Sequence, residues 1–451
     1  MEVTKTLAQF VVDSRYADIP KEIRHEAARS ILNWLGCALG GCRHETIDRA
    51  LAALRQFSGP AQAAVLGRGE RLDIMHAALM NGMSSHVLDF DDTHLKTVIH
   101  PSGPVASALL ALAEFRPMSG PEFLHAFILG VEVSCRIGKA VYPSHYDVGW
   151  HVTGTAGVFG AAAAAGRALG LTGEQMTWAL GIAATQSSGL REMFGTMCKP
   201  FHPGRAAQNG LTAAYLASQS FTSSERAIEA PRGFAHVLAA ERNLAAITSR
   251  LGETWEIAQN TYKPFACGIV IHPTIDGCIQ LRGEYRLTGD EINGIALAVH
   301  PLVLELTGKK DPRTGLEGKF SVYHSAAIAI IHGEAGERGY RDEVVRDPAV
   351  RALRDRVEAK ADDGIAEDAA RIVIRLKDGR TIEKTIEHAI GSLARPMSDE
   401  ALEAKFRGLA AAVLSPTGTD ALIALCWSIE RLGDVGEIAR ASVPEGAAGA
   451  S

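Results

Sequence analysis

Two reciprocal helix caps do most to limit what this chain can fold into. Ser119-Gly-Pro-Glu122 and Thr172-Gly-Glu-Gln175 each put a hydroxyl three residues ahead of a side chain that can return to the N–H of the cap. Apolar residues at helical spacing follow each one, over 123–141 and 176–184. The same period runs through 23–39, 46–57, 74–86, 105–114 and 206–218, and β-branched alternation is scarce there apart from a short hairpin pattern at 63–72. A helical bundle is therefore expected for the N-terminal part.

The pattern changes beyond Tyr262. Gly294-Ile-Ala-Leu-Ala-Val-His300 reads as a buried strand after a cap at Thr288-Gly-Asp-Glu291, 320–332 reads as a helix, and Asp347-Pro348 opens another. Two alternating segments, 371–376 and 380–386, flank Lys377-Asp-Gly379, a hairpin signal. After Arg395-Pro396 the helical period returns over 400–413 and 420–432. The expectation is a mostly-α chain whose large helical-bundle domain is built from both chain ends (1–262 and 396–451), with a smaller α+β lid domain (263–395) inserted. Residues 445–451, small and polar, are expected to fray.

Composition excludes several classes. At 451 residues, 47% hydrophobic and 22% charged, the chain can bury a large core and is not disordered. A net charge of −6 without a Lys/Arg block argues against nucleic acid as a partner. Seven cysteines without a CxxC pair fit reduced thiols and a cytoplasmic setting, and the N-terminus has no signal-peptide core. The apolar stretch 152–171 carries Gly154, Gly157, Gly160, Gly166 and Arg167, which suits a buried packing helix better than a membrane span. No HExxH, zinc-type spacing, P-loop or GxGxxG is found, so neither a metal nor a nucleotide cofactor is expected.

Chemistry concentrates in four segments. His86-Val-Leu-Asp-Phe-Asp-Asp-Thr-His94, closed by His100-Pro-Ser-Gly103, packs histidines, carboxylates and a hydroxyl between apolar helices, where they must satisfy one another. A catalytic pocket would do so, and so would a capping loop in which Asp91 or Asp92 bonds free N–H groups and Pro101 opens the next helix. His151, in Gly149-Trp-His151, opens the Gly/Ala-rich helix, either facing an anion with the free N–H groups or serving as a cap. Gly195-Thr-Met-Cys-Lys199-Pro-Phe-His202-Pro-Gly-Arg205 sets three basic residues on a proline-broken loop, as a cationic site or a solvated surface, with Cys198 read as a buried thiol. Tyr262-Lys-Pro-Phe-Ala-Cys-Gly268 through His272 lies at the junction of the two patterns, a favoured pocket position that Lys263 and His272 would share. Tyr323 is a buried phenol or a donor to a ligand carboxylate.

In order, Asp89-Phe-Asp-Asp-Thr93 with His100-Pro-Ser102, Gly149-Trp-His151, Gly195-Thr196 with Lys199-Pro200 and His202, and Lys263-Pro264 with His272 resemble the motifs of the MmgE/PrpD family over nearly the whole chain. That family includes 2-methylcitrate dehydratase, cis-aconitate decarboxylase and iminodisuccinate epimerase. The resemblance implies a homodimer without metal or organic cofactor, acting on a small polycarboxylate by proton transfer next to a carboxylate. It also implies pocket positions at Asp89, Thr93, His100, His151, Lys199, His272 and Tyr323. Imidazoles would move the proton, Lys199 and Arg205 would stabilise charge, Asp89 would orient an imidazole and Thr93 would bind a carboxylate oxygen. The order of expectation is a dehydratase-like lyase, then an epimerase, then a decarboxylase. His100-Pro-Ser-Gly-Pro-Val105 departs from the Asp-Asn-Leu-Gly continuation of the propionate-pathway dehydratases, which weighs against methylcitrate itself.

Overall fold

A computed structural model describes residues 2–446, so most of the tail expected to fray, 447–451, lies outside the described residues. Both caps form. Ser119 N–H meets Glu122 Oε2 at 2.9 Å at the head of helix Gly120–Val141. Thr172 and Gln175 exchange bonds of 3.1 and 3.2 Å at the head of Gly173–Ala184. The alanine-rich stretch forms helix Val152–Leu169, ended by Gly170 with φ +73, a conformation that favours glycine. Among the described residues no helix is long and apolar enough to cross a membrane.

A large core joins residues 3–262 to Met397–Ala439, the latter including Leu402, Phe406 and Ile423. Helix Asp399–Ala410 lies along Lys21–Gly41, and an added Cβ at Gly36 would come within 2.9 Å of the buried Phe406 ring. A second core joins Phe265–Ile386 to a few residues of the helical part, Cys37, Val87, Leu88, Phe90 and Leu409. Helices Ile74–His86 and Cys198–Ser218 cross where both helices carry glycine, since a Cβ on Gly82 would lie 2.6 Å from Gly204 Cα. That crossing brings the end of one helix, His86, near the start of the other, Lys199.

The sheet has four strands in the order Val357–Ala361, Ile292–Val299, Ala370–Leu376, Thr381–Ile386. The first pair is parallel and the others antiparallel. The expected hairpin is present, and the parallel edge strand, Val-Glu-Ala-Lys-Ala, is an addition, because that sequence carries almost no β-branched signal. Residues 198–205, expected as a loop, are instead the first turns of helix Cys198–Ser218. Pro200 is tolerated there because N–H groups of the first turn have no intrahelical acceptor.

Candidate active site

The segment leaving helix Ile74–His86 forms a buried strap over 87–101. Its Thr93–His94 pairs antiparallel with Asn260–Thr261. Asp89 and Val98 both sit at φ +50, a left-handed backbone that costs on the order of 1 kcal/mol and more for a β-branched residue. Asp92 braces the head of helix Ser102–Phe115 through side chains and not by bonding free N–H groups, accepting from Ser102 Oγ and from Asn260 Nδ2, both at 2.6 Å. Burial and the neighbouring Asp91 push its carboxyl up to about 6. The other two aspartates act differently.

Asp91 Oδ2 lies 2.8 Å from His86 Nδ1. Burial raises the Asp91 carboxyl, but the interactions with His86 and His100 outweigh it and keep an acceptor-only carboxylate. His86 therefore donates from Nδ1 and keeps a basic Nε2 that is buried and has no partner. His100 Nδ1 donates to Asp92 O at 2.8 Å, with Thr93 Oγ1 at 3.4 Å, so its basic nitrogen is Nε2 as well. The two rings meet edge to face at 4.6 Å, and His151 stacks on His86 at 5.8 Å. Behind His151, His202 shares a proton between the two Nδ1 atoms at 2.9 Å. Burial drives His100 down to about 3 and His202 to about 4, and it lowers His86 and His151 too, with Lys199 pushing each the same way. At neutral pH all four imidazoles are uncharged. They are bases in waiting, and a bound anion that offsets the nearby ammoniums raises their basicity.

Asp89 does not orient an imidazole, as sequence reading expected; that task falls to Asp91. Its Oδ1 accepts from Lys199 Nζ at 2.8 Å and from Lys263 Nζ at 3.0 Å. Burial favours the acid form, yet the two ammoniums outweigh it and hold the carboxyl well below the usual carboxylate range. Lys263 spends its remaining protons on Asp89 O at 3.1 Å and Cys267 O at 3.0 Å, which uses all three donors. Lys199 has no other protein acceptor and lies over the rings of Phe194 and Phe320, at 5.1 and 5.2 Å. Two of its donors are left for a ligand.

These groups line one cavity of about 50 Å³, room for several waters. Asp89, Thr93, His100, His151, Lys199 and Lys263 supply polar atoms, and Val98, Phe194, Ile269, Val270, Leu306 and Phe320 supply apolar wall. An outer cleft shares Phe194, Leu306 and Phe320 with it, which makes these three the neck between solvent and the buried groups. Arg191 spans that cleft, 2.6 Å from Glu305 and stacked 3.9 Å over Tyr146.

Other expected residues fall outside the lining. His202 reaches it only through His151. Arg205 lies six positions beyond Lys199, about 240° round the helix, and is exposed with its guanidinium on Gln208. Cys198, expected to be buried, is exposed as well. His272 begins helix His272–Tyr285, packs edge to face on Phe265 at 5.2 Å and has neither ring nitrogen paired, whereas the preceding Gly268–Val270 reach the wall. Tyr323 is buried in the second core. His86 and Asp91, five residues apart in the leading motif, take roles that the motif did not assign to them, and Phe194, which adjoins Gly195, and Phe320 join the site without a sequence signal. His86, His100 and His151 each offer a ring nitrogen within 4.8 Å of the others, and so could grip a metal ion. The Lys199 and Lys263 ammoniums beside them oppose a dication and favour an anion.

The chain is similar to known proteins along almost its whole length. A cis-aconitate decarboxylase of Aspergillus terreus is 26% identical over 462 residues, covering 96% of this chain and 94% of the relative. The Homo sapiens cis-aconitate decarboxylase is 28% identical over 450 residues, covering 96% and 92%. A 2-methylcitrate dehydratase of Cupriavidus necator is 24% identical over 455 residues, covering 93% and 92%. Residues 5–246 match the MmgE/PrpD N-terminal domain and residues 265–429 the MmgE/PrpD C-terminal domain, and the chain therefore belongs to the MmgE/PrpD family.

Proposed function

We propose that the protein is a lyase acting on a small di- or tricarboxylate, with its own imidazoles moving a proton at a carbon next to a carboxylate. One observation carries the reading: Lys199, with two uncommitted N–H donors, shares a buried cavity with His100 and His151, whose rings are neutral. The ammonium binds a carboxylate and stabilises the charge that develops on it. Binding that anion raises the imidazoles, and the basic Nε2 of His100 then accepts or returns the carbon-bound proton.

Within this class we favour decarboxylation over dehydration, reversing the order suggested by sequence. Apolar wall from Phe194, Leu306 and Phe320 desolvates a carboxylate not held by Lys199, which favours its departure as carbon dioxide, and the electron pair left on carbon takes the proton that His100 Nε2 has drawn from water on anion binding. Two of the relatives above bear the name cis-aconitate decarboxylase. The homodimer implied by the family likeness and the cytoplasmic setting suggested by the cysteine pattern belong to the same reading.

The test is incubation with cis-aconitate, 2-methylcitrate and a panel of hydroxy- and iminodicarboxylates in deuterium oxide, followed by NMR. Decarboxylation releases carbon dioxide and labels the product, dehydration gives an unsaturated acid, and epimerisation labels a stereocentre with the skeleton intact. His100→Gln, which keeps hydrogen bonding but not basicity, should depress the signal at least 100-fold. Absence of turnover and exchange across the panel would overturn the reading.

A further inference from the structure

Three successive carbonyls of the strap, on Leu88, Asp89 and Phe90, each accept from a different lysine. Lys319 Nζ donates to Leu88 O at 2.6 Å and Ala266 O at 2.8 Å, with the Tyr340 ring 4.9 Å away. Lys263 Nζ takes Asp89 O. Lys405 Nζ takes Phe90 O at 2.5 Å, Lys263 O at 2.9 Å and Asn33 Oδ1 at 2.7 Å, over the Phe90 ring at 4.0 Å. Neither Lys319 nor Lys405 lines the cavity. Buried ammoniums are costly to desolvate, and surface retention of a strap would not need them.

What they hold is the residue between them. Asp89 sits in a left-handed backbone that an L-residue leaves when it can, and its carboxylate fixes the Lys199 ammonium. Lys319 on Leu88 O opposes rotation of the peptide before Asp89, Lys263 on Asp89 O that of the peptide after it, and Lys405 on Phe90 O pins the next peptide along. Lys405 also grips the carbonyl of Lys263, the second ammonium on Asp89. We propose that Lys319 and Lys405 are positioning residues, holding the strap on both sides of Asp89 so that its carboxylate keeps Lys199 aimed into the cavity. The placement of Lys199 is a statement about the free protein; only its consequence for turnover rests on the polycarboxylate reading.

Competitive acetylation with acetic anhydride, read lysine by lysine by mass spectrometry on the full-length folded protein, needs no substrate. Lys405→Met and Lys319→Met should each raise Lys199 labelling at least threefold, as its bond to Asp89 loosens, while exposed lysines such as Lys377 stay constant. Asn33→Ala, which removes one Lys405 acceptor and keeps every lysine, is the milder variant if the methionine variants do not fold, and should raise it about twofold. Unchanged Lys199 labelling in any folded member of this set would overturn the proposal. With an active substrate, Lys405→Met should lower kcat/KM at least tenfold in the wild-type background and less than twofold in a Lys199→Met background. Equal losses in the two backgrounds would mark a merely structural role. A wild-type protein that turns over no polycarboxylate would refute the functional reading and leave the labelling result to decide the positioning role.

Discussion

Replacing Lys199 with methionine separates ligand binding from structural support. The side chain ends one atom short of the ammonium, keeping its apolar stem beside the Phe194 and Phe320 rings but losing the charge. Of the three N–H donors, one is held by Asp89 and two remain for a ligand carboxylate. Charge-assisted hydrogen bonds contribute about 1.5–3 kcal/mol each. Two of them amount to about 3–6 kcal/mol, on the order of 10²–10⁴ in kcat/KM. Asp89 keeps Lys263 at 3.0 Å and is not orphaned. The stability loss should therefore fall below the roughly 3–5 kcal/mol typical of a buried charge stripped of its partner. Lys263→Met gives the contrast, because every donor of Lys263 is already taken by protein: its main effect should be on stability, about 3 kcal/mol, with loss of activity following from the disturbed strap. Thermal unfolding with and without tricarballylate, alongside steady-state kinetics, distinguishes the two. A folded Lys199→Met protein with kcat/KM within threefold of wild type, or one still stabilised equally by tricarballylate, would refute the assignment of Lys199 as the ligand-binding cation.

Asp89 has a folded pKa held below its unfolded value, so it contributes stability above about pH 4 that is lost as the pH falls through the folded value. Asp89→Asn should unfold at lower temperature at pH 7 and lose less on acidification from pH 5 to 3, so that the two melting curves converge; parallel curves would contradict the ion-pair account. Arg205→Ala should leave kcat/KM within twofold of wild type, because the guanidinium faces solvent, and a tenfold loss would return it to the site. A fragment of residues 1–262 lacks Leu402, Phe406 and Ile423 from the larger core and should bind 8-anilinonaphthalene-1-sulfonate and melt without cooperativity; a sharp calorimetric transition would show that the N-terminal helices stand alone.

Interactions within three or four residues were legible in the sequence. The Ser119 and Thr172 caps, the helical apolar period and the hairpin around Lys377-Asp-Gly379 depend on neighbours along the chain, and all formed where expected. The motif string likewise exposed Asp89, Thr93, His100, His151, Lys199 and Lys263, all of which line the cavity. It could not say how they are used. The phase of helix Cys198–Ser218 turns Arg205 away while Lys199 points in, and a loop reading of the same residues gives no phase. Whether Asp89 serves an imidazole or two ammoniums depends on contacts across 110 and 174 residues. Lys319 and Lys405 reach the strap across 231 and 315 residues and carry no local signal of that role. A buried charge is stable only where its partners converge in space, and the packing of distant helices, including the glycine crossing at Gly82 and Gly204, decides which partners those are.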